Sequence, residues 1–532
     1  MANRKLILPL CGAALGVLCF AAALWQVFRP AGAADRSDKT LIRVAHWQLE
    51  SGLRDAFDVI ARDYERLHPD VKIEQIAIPE RIYPSWLRTQ LVGGTAPDLI
   101  QIGKGSDDEI LARYFNPLSP YIKSANPYNE GTPLADIPWR DTFIDGMTGS
   151  VTYQPNLLDY YGIPLATITT RIYYNVTAWR RILGDTPPPT HYDEFVAACE
   201  RILQHAATTG ENVIPLAGSN YGTPWFASSL VGSQTQRLAQ ELDDSLVLQP
   251  ISIETALQYL SGRWSLEDPA FANGLRLAQQ IGRYAQPGFL QANRDDASFY
   301  FVQGRALMIV TGSWDAPSFR SLAPFEMSAF VMPLPQPSHP QYGAGVIGPV
   351  SEAASPMGTS FGLTKTSRHP EVAMDFLRYI TSFDGNAKFS AVSLWLPSVA
   401  EIPAPEPIKP FEPQLDGYVN GFGLAIGNGP DVRRVVESNL GTLFDPRADI
   451  DKLQDTMAAK LPDALRSDLT RTVRSFLANS NRQDTLVAAQ SVLASRHPQN
   501  PDFARKRHEL LEAQTLQELR AAWIEHELAQ SP

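Results

Sequence analysis

The chain has 532 residues, 44% of them apolar and 19% charged, with a formal net charge of -11. That length exceeds what one hydrophobic core serves, so a single small module is excluded and two or more domains are expected. The acidic balance argues against nucleic acid or an anionic membrane as the main partner.

At the N-terminus, Arg4 and Lys5 precede an uncharged run from Leu6 to Phe28, and the small-residue stretch "AGAAD" follows at 31 to 35. This is the pattern of an export signal over residues 1–34, long enough to serve as an uncleaved membrane anchor instead. Either form keeps the N-terminus cytoplasmic and sends the rest outward, to a periplasmic or other extracytoplasmic location. Leu10 and Leu18 precede Cys11 and Cys19, where a lipoprotein signal needs a small residue. Cleavage would leave Cys199 as the one thiol, on an amphipathic pattern with no acid or imidazole beside it, so it reads as a small buried side chain.

The exported part opens with "TLIRVAHW", a strand, and a helix whose apolar positions Leu53, Phe57, Ile60, Ala61, Tyr64 and Leu67 share one face. Ser51 is placed to cap that helix. "VKIEQIAI" is a second strand, "SWLRTQLVGG" a helix and "PDLIQIG" a short buried strand. This β-α-β-α-β opening predicts a mostly parallel sheet covered on both faces, with ligands beyond the carboxyl ends of its strands, where Trp47 stands. The alternation resumes from "YGIPLATITTRIYYNVTAW" to "ENVIPLAG". Residues 237 to 300 are mainly helical, "GRALMIVTGSW" and "FEMSAFVMPLP" are strands, and Pro370 starts another helix. Five prolines between Pro403 and Pro413 mark an extended segment, and beyond about residue 450 the pattern is helical only.

Catalytic motifs are weak. "GTSFG" at 358 to 362 has the letters of a nucleophile elbow, but a loop precedes Ser360 and a strand follows, the reverse of what an elbow needs. "SDDE" at 106 to 109 could supply acid and base, yet Ser106 with Glu109 also forms a capping box at a helix start. The nine His residues lack paired spacing and Cys partners, so no metal and no cofactor is expected. "GFGLAIGNG" at 421 to 429 misses the dinucleotide fingerprint by one residue and reads as a flexible loop.

In order along the chain, "HPDVKIE", "GGTAPDLIQI", "YGIP", "YYNVTAW", "PPTHYDEF", "FVQGRALMIVTGSW", "MPLP" and "SRHPEVAMDFLRYITS" resemble the extracellular solute-binding proteins of ABC importers, and most of all the sugar-binding group that includes maltose-binding protein. The resemblance spans residues 41 to about 400. It implies an α/β fold of two lobes joined at a hinge and closing on a solute, here followed by a C-terminal helical extension. Lobe one would hold 41–165 and 335–383, lobe two 170–333 and 384–450, and the extension 451–532. "GGTAP" fits its scaffold role, since Gly94 can take a positive φ where the helix must stop.

By the same resemblance, the ligand would be held by Trp47, Gln48 and Glu50 after the first strand and by Lys104 and Asp107 after the "PDLIQIG" strand. Lobe two would supply Tyr221, Trp225, Trp314 and Asp315, with Trp395 of "LWLP" near a further aromatic of the family. Aromatic faces with carboxylates and amides suit a carbohydrate, whose C–H groups pack on an indole while its hydroxyls bond to charged groups. The function implied is a monomeric receptor, not an enzyme, that delivers the sugar to an ABC permease. The rival expectations are an exported carbohydrate-active enzyme and a sensor that reports occupancy to a membrane kinase.

Overall fold

The computed structural model describes residues 39–149, 151–246, 252–353, 357–424, 426–427 and 429–531, so the N-terminal export or anchor segment lies outside the described residues. Two sheets organise the chain. The first runs β12-β6-β11-β3-β1-β2, made from β1 (Thr40–His46), β2 (Val71–Ala77), β3 (Leu99–Gln101), β6 (Ile163–Thr167), β11 (Met357–Leu363) and β12 (Leu396–Pro397). The second runs β10-β7-β9-β8, from β7 (Thr170–Asn175), β8 (Ile214–Ala217), β9 (Ala306–Gly312) and β10 (Met327–Phe330). A small ribbon, β4 (Tyr153–Gln154) with β5 (Asp159–Tyr160), projects from the first lobe.

Only part of the first sheet is parallel. β1 lies parallel to β2 and β3, but β11 is antiparallel to β3 and β6, and β12 is antiparallel to β6. The expectation of a mostly parallel sheet came from the opening β-α-β-α-β, which is local. β11 returns from the other lobe and enters against that direction. Two residues separate β6 from β7, so the chain leaves one sheet and joins the other almost at once. It crosses again between β10 and β11, and a third time after β12.

At this hinge Arg171, wholly buried, pairs with Glu352 through both guanidinium ends, at 2.6 and 2.9 Å. It also donates to the carbonyls of Pro410 and Glu412. One side chain thus ties all three crossing segments.

Helices cover both sheets. In lobe one α1 (Ser51–Leu67), α2 (Tyr83–Gly93) and α3 (Asp108–Tyr114) follow the first strands. The N-cap of α1 is Glu50, without a side-chain cap bond, so Ser51 is inside the helix and not its cap. Gly94 ends α2 at φ 67°, the left-handed stop expected of it. In lobe two α4 (Tyr192–Thr209) buries Cys199, whose thiol burial pushes up, and α5 (Gly222–Gln234), α6 (Ser252–Leu260), α7 (Pro269–Gly282) and α8 (Arg294–Val302) follow.

Two boundaries differ from the expected division. α9 (Pro370–Ile380) is followed by α10 (Phe383–Ser393), which packs on α1, while Phe389, Trp395 and Val399 join the core of lobe one. Residues 336 to 347 instead bond lobe two, as Gln236 accepting from the Ile347 amide and His339 meeting Asp193 show. Lobe one therefore takes 357–399, where 335–383 was expected. The chain returns to lobe one at β11, about twenty residues after "MPLP".

The C-terminal helices are α11 (Pro430–Leu443), α12 (Ile450–Ala458), α13 (Leu461–Arg496) and α14 (Pro501–Gln530). The last two form an antiparallel hairpin, with Arg466 beside Ser531 and Ser480 bonded to Glu518. Their bases are not separate from lobe two. Leu453, Met457, Leu461, Leu465 and Leu469 share one buried cluster with Trp264 and Phe271. Phe422, Leu424 and Ile426, from the stretch expected to be a flexible loop, are buried in the same cluster. Among the described residues no helix is long and apolar enough to cross a membrane.

Candidate functional site

The carboxyl ends of β1, β3 and β9 all point at the seam between the lobes. Trp47 leaves β1 half-buried, its amide donating to the Gln101 side chain at 3.2 Å and its ring edge-on to Tyr83 at 4.9 Å. Beneath it Gly103, at φ 130°, leaves room that a Cβ would take, 3.3 Å from the indole. With its amide oriented to satisfy its neighbours, Gln48 accepts from the Trp47 indole at 3.1 Å and donates to Glu50.

Glu50 then reaches across to lobe two. Its carboxylate lies 3.4 Å from Arg294, whose guanidinium also meets Asp315 at 3.1 Å. Asp315 closes the set by accepting from the Thr311 hydroxyl at 2.6 Å. Burial pushes the Asp315 carboxyl up to about 6, against the pull of Arg294 and that hydroxyl. Lys104 pairs with Glu80, and burial together with the Arg294 guanidinium holds its ammonium below the ordinary value. Glu50 of lobe one thus meets Arg294 and Asp315 of lobe two across the seam, with the Lys104–Glu80 pair on the lobe-one side.

On the lobe-two side the aromatic residues form a continuous row. Tyr221 packs on Trp225 at 5.1 Å and Trp225 on Trp314 at 6.2 Å. Tyr221 and Trp225 keep 37% and 40% of their surface in solvent, exposure that a core role does not explain. They border a cavity of about 780 Å³ whose far wall is α11, with Arg433 and Glu437. Trp314 is half-buried against the core of lobe one, and its indole N–H is buried without a protein partner.

Two expected ligand residues sit differently. Asp107 caps α3 by accepting from the Ile110 amide at 2.9 Å, so its carboxylate is engaged in the scaffold, and the cap is Asp107 where Ser106 was expected. Trp395 is 2% exposed within the lobe-one core, because the segment that carries it packs with α10 and not along the seam. Ser360 of "GTSFG" is buried inside β11, with no elbow around it.

Sequence reasoning missed Arg294, Arg433 and Glu437. For Arg294 a signal existed: Asn293 and Asp296 form a capping box, which starts α8 and puts Arg294 at its first position, at a helix end facing the seam. Among the described residues no group of His, Cys, Asp and Glu is clustered to hold a metal.

The sequence profile described as bacterial extracellular solute-binding protein matches residues 60–416. An uncharacterized ABC transporter extracellular-binding protein of Pyrococcus horikoshii is 21% identical over 437 residues, 80% of this chain and 88% of that protein. The multiple sugar-binding protein of Streptococcus mutans is 24% identical over 369 residues, 67% and 75% of the two chains. Among solved structures, the GacH receptor of Streptomyces glaucescens, determined unliganded and with acarbose, superposes with a TM-score of 0.56 at 16% identity, covering 80% of this chain and 99% of that one. The fold is shared with these two-lobed binding proteins.

Proposed function

Because the chain belongs to the bacterial extracellular solute-binding proteins, we propose that its solute is a carbohydrate, held between the lobes and passed to the permease of an ABC importer. The observation that carries this reading is the row Tyr221, Trp225, Trp314 beside the Glu50, Arg294, Asp315 cluster. An apolar wall meeting charged donors and acceptors matches a sugar, which has a C–H face and a rim of hydroxyls. The unpartnered Trp314 N–H is a donor that a ligand hydroxyl satisfies. The relatives point the same way, one named for sugar binding and another solved with acarbose. Beside Tyr221 and Trp225 a cavity of about 780 Å³, lined by lobe two alone, leaves room for a ligand to extend past the row.

The protein works outside the cytoplasm as a monomer, exported or anchored by residues 1–34, and leaves its ligand chemically unchanged. Glu50 and Asp315 share one guanidinium, a pairing that serves recognition and closure better than proton transfer. A thermal-shift screen over neutral mono- and oligosaccharides tests the reading, since a ligand bound by the native state alone raises the melting temperature. A rise with one family of sugars supports it. A flat response to sugars alongside a rise with amino acids or peptides contradicts it.

A further inference from the structure

The hairpin of α13 and α14 lies beyond the residues that match the family profile, and it touches both lobes. Its 36-residue first helix is about 54 Å long, enough to pass from one lobe over the other. The two attachments differ in kind. At its base Leu461, Leu465, Leu469, Val473 and Ile524 are buried with lobe two. Further along, polar ties reach lobe one: Arg482 stands 3.9 Å from Glu109, Gln483 donates to the Asn156 carbonyl at 3.3 Å, and Lys506 donates to the Leu158 carbonyl at 2.9 Å, with Asp159 at 3.9 Å. A cavity of about 430 Å³ opens along this join, between Arg140, Tyr153, Lys506 and Glu509.

An apolar root and a polar, charge-complementary tip describe a contact that stays fixed on one side and can release on the other. The tip also meets the part of lobe one that leads to the site. Asn156, whose carbonyl Gln483 holds, donates its amide to Asp108 at 2.7 Å. Asp108 opens α3 directly behind the turn that bears Lys104 and Asp107. Leu158, held by Lys506, takes φ 53°, a left-handed conformation unusual for a residue other than glycine.

We infer that the C-terminal hairpin is an interlobe strap, rooted in lobe two, whose polar tip on Glu109 and the β4–β5 ribbon holds the lobes together and steadies the turn that carries Lys104. This rests on the two-lobed fold and not on the identity of the solute. It predicts that the strap sets how often the empty cleft opens, without touching ligand.

Hydrogen exchange on the full chain without any sugar tests it. In the double variant Arg482→Ala and Lys506→Ala, amides at 153–160, at 103–107 and in both cleft walls, 47–50 and 313–315, exchange at least about fivefold faster. The melting temperature stays unchanged, since the buried root is intact. Lys506→Arg, which keeps a donor for the Leu158 carbonyl, restores the slow pattern in an otherwise native chain. Acceleration confined to 153–160 overturns the strap and leaves a local docking contact. Unchanged exchange at every one of these segments overturns it as well.

Discussion

Trp225 and Trp395 show how one residue type divides between recognition and packing. Trp225 is open to the cavity and Trp395 is closed in the lobe-one core, so the same substitution should separate their roles. Trp225→Ala is expected to cost about 2 kcal/mol of sugar binding, the scale of an aromatic hot spot and about thirtyfold in Kd, with the melting temperature little changed. Trp395→Ala is expected to remove roughly 3 kcal/mol of stability by leaving a cavity, and to lower the melting temperature by several degrees. Titration calorimetry beside a melting curve for each variant checks both.

Two buried titrating groups oppose each other in acid. His46, buried behind Trp47 against Phe57, is pulled by burial down to about 4, so between pH 6.5 and 4 the unfolded chain binds a proton that the folded chain refuses. Stability from this group falls as the pH falls through that window. Asp315, up at about 6 from an ordinary 3.8, does the reverse: the folded chain binds the extra proton, and stability rises as the pH falls from about 6 toward 4. Each effect is on the order of 3 kcal/mol, so they largely offset. Asp315→Asn should therefore make the ligand-free protein lose stability more steeply between pH 6.5 and 4 than wild type does. Melting curves at several pH values read this directly, and equal slopes in both proteins would rule out the assigned shifts.

At the scale of elements, the opening strands and helices were legible because their apolar periodicities are local. The residues that would line a cleft were legible only as loops. Trp47 could be placed at a strand end from the chain alone, whereas Trp225 came only from the resemblance. No local feature tells that Glu50 will meet Arg294, 244 residues away. The hinge was hidden for the same reason, since Arg171 and Glu352 lie in segments that come together only when both sheets form. Removing one partner leaves a buried charge unpaired, so Glu352→Ala is expected to destabilise by about 3 to 5 kcal/mol. Arg171→Met with Glu352→Leu together should cost less than that single change. Denaturant titrations of the three variants test the ordering.

At the scale of the whole molecule, the tail was read as a helical extension from residue 451 with its role left open, and its first helices pack into the buried cluster of lobe two. The stripe Leu461, Leu465, Leu469 and Val473, spaced by four, was the sign that this helix buries a face. A chain ending at residue 450 strips apolar cover from Trp264 and Phe271, and its lobe-two melting transition should be lost in a calorimetric scan. A chain ending near residue 475 keeps most of that cover and should retain the transition, though without the tie to lobe one.

The proposed receptor binds a carbohydrate between its lobes, against the row Tyr221, Trp225, Trp314 and the Glu50, Arg294, Asp315 cluster beside it. Isothermal titration with the sugars that raise the melting temperature, followed by chromatographic recovery of the sugar, tests it most directly. The expected result is saturable binding of one sugar per chain, weakened about thirtyfold by Trp225→Ala, with the sugar recovered intact. Absence of saturable binding for every sugar, or recovery of cleaved products, would contradict it.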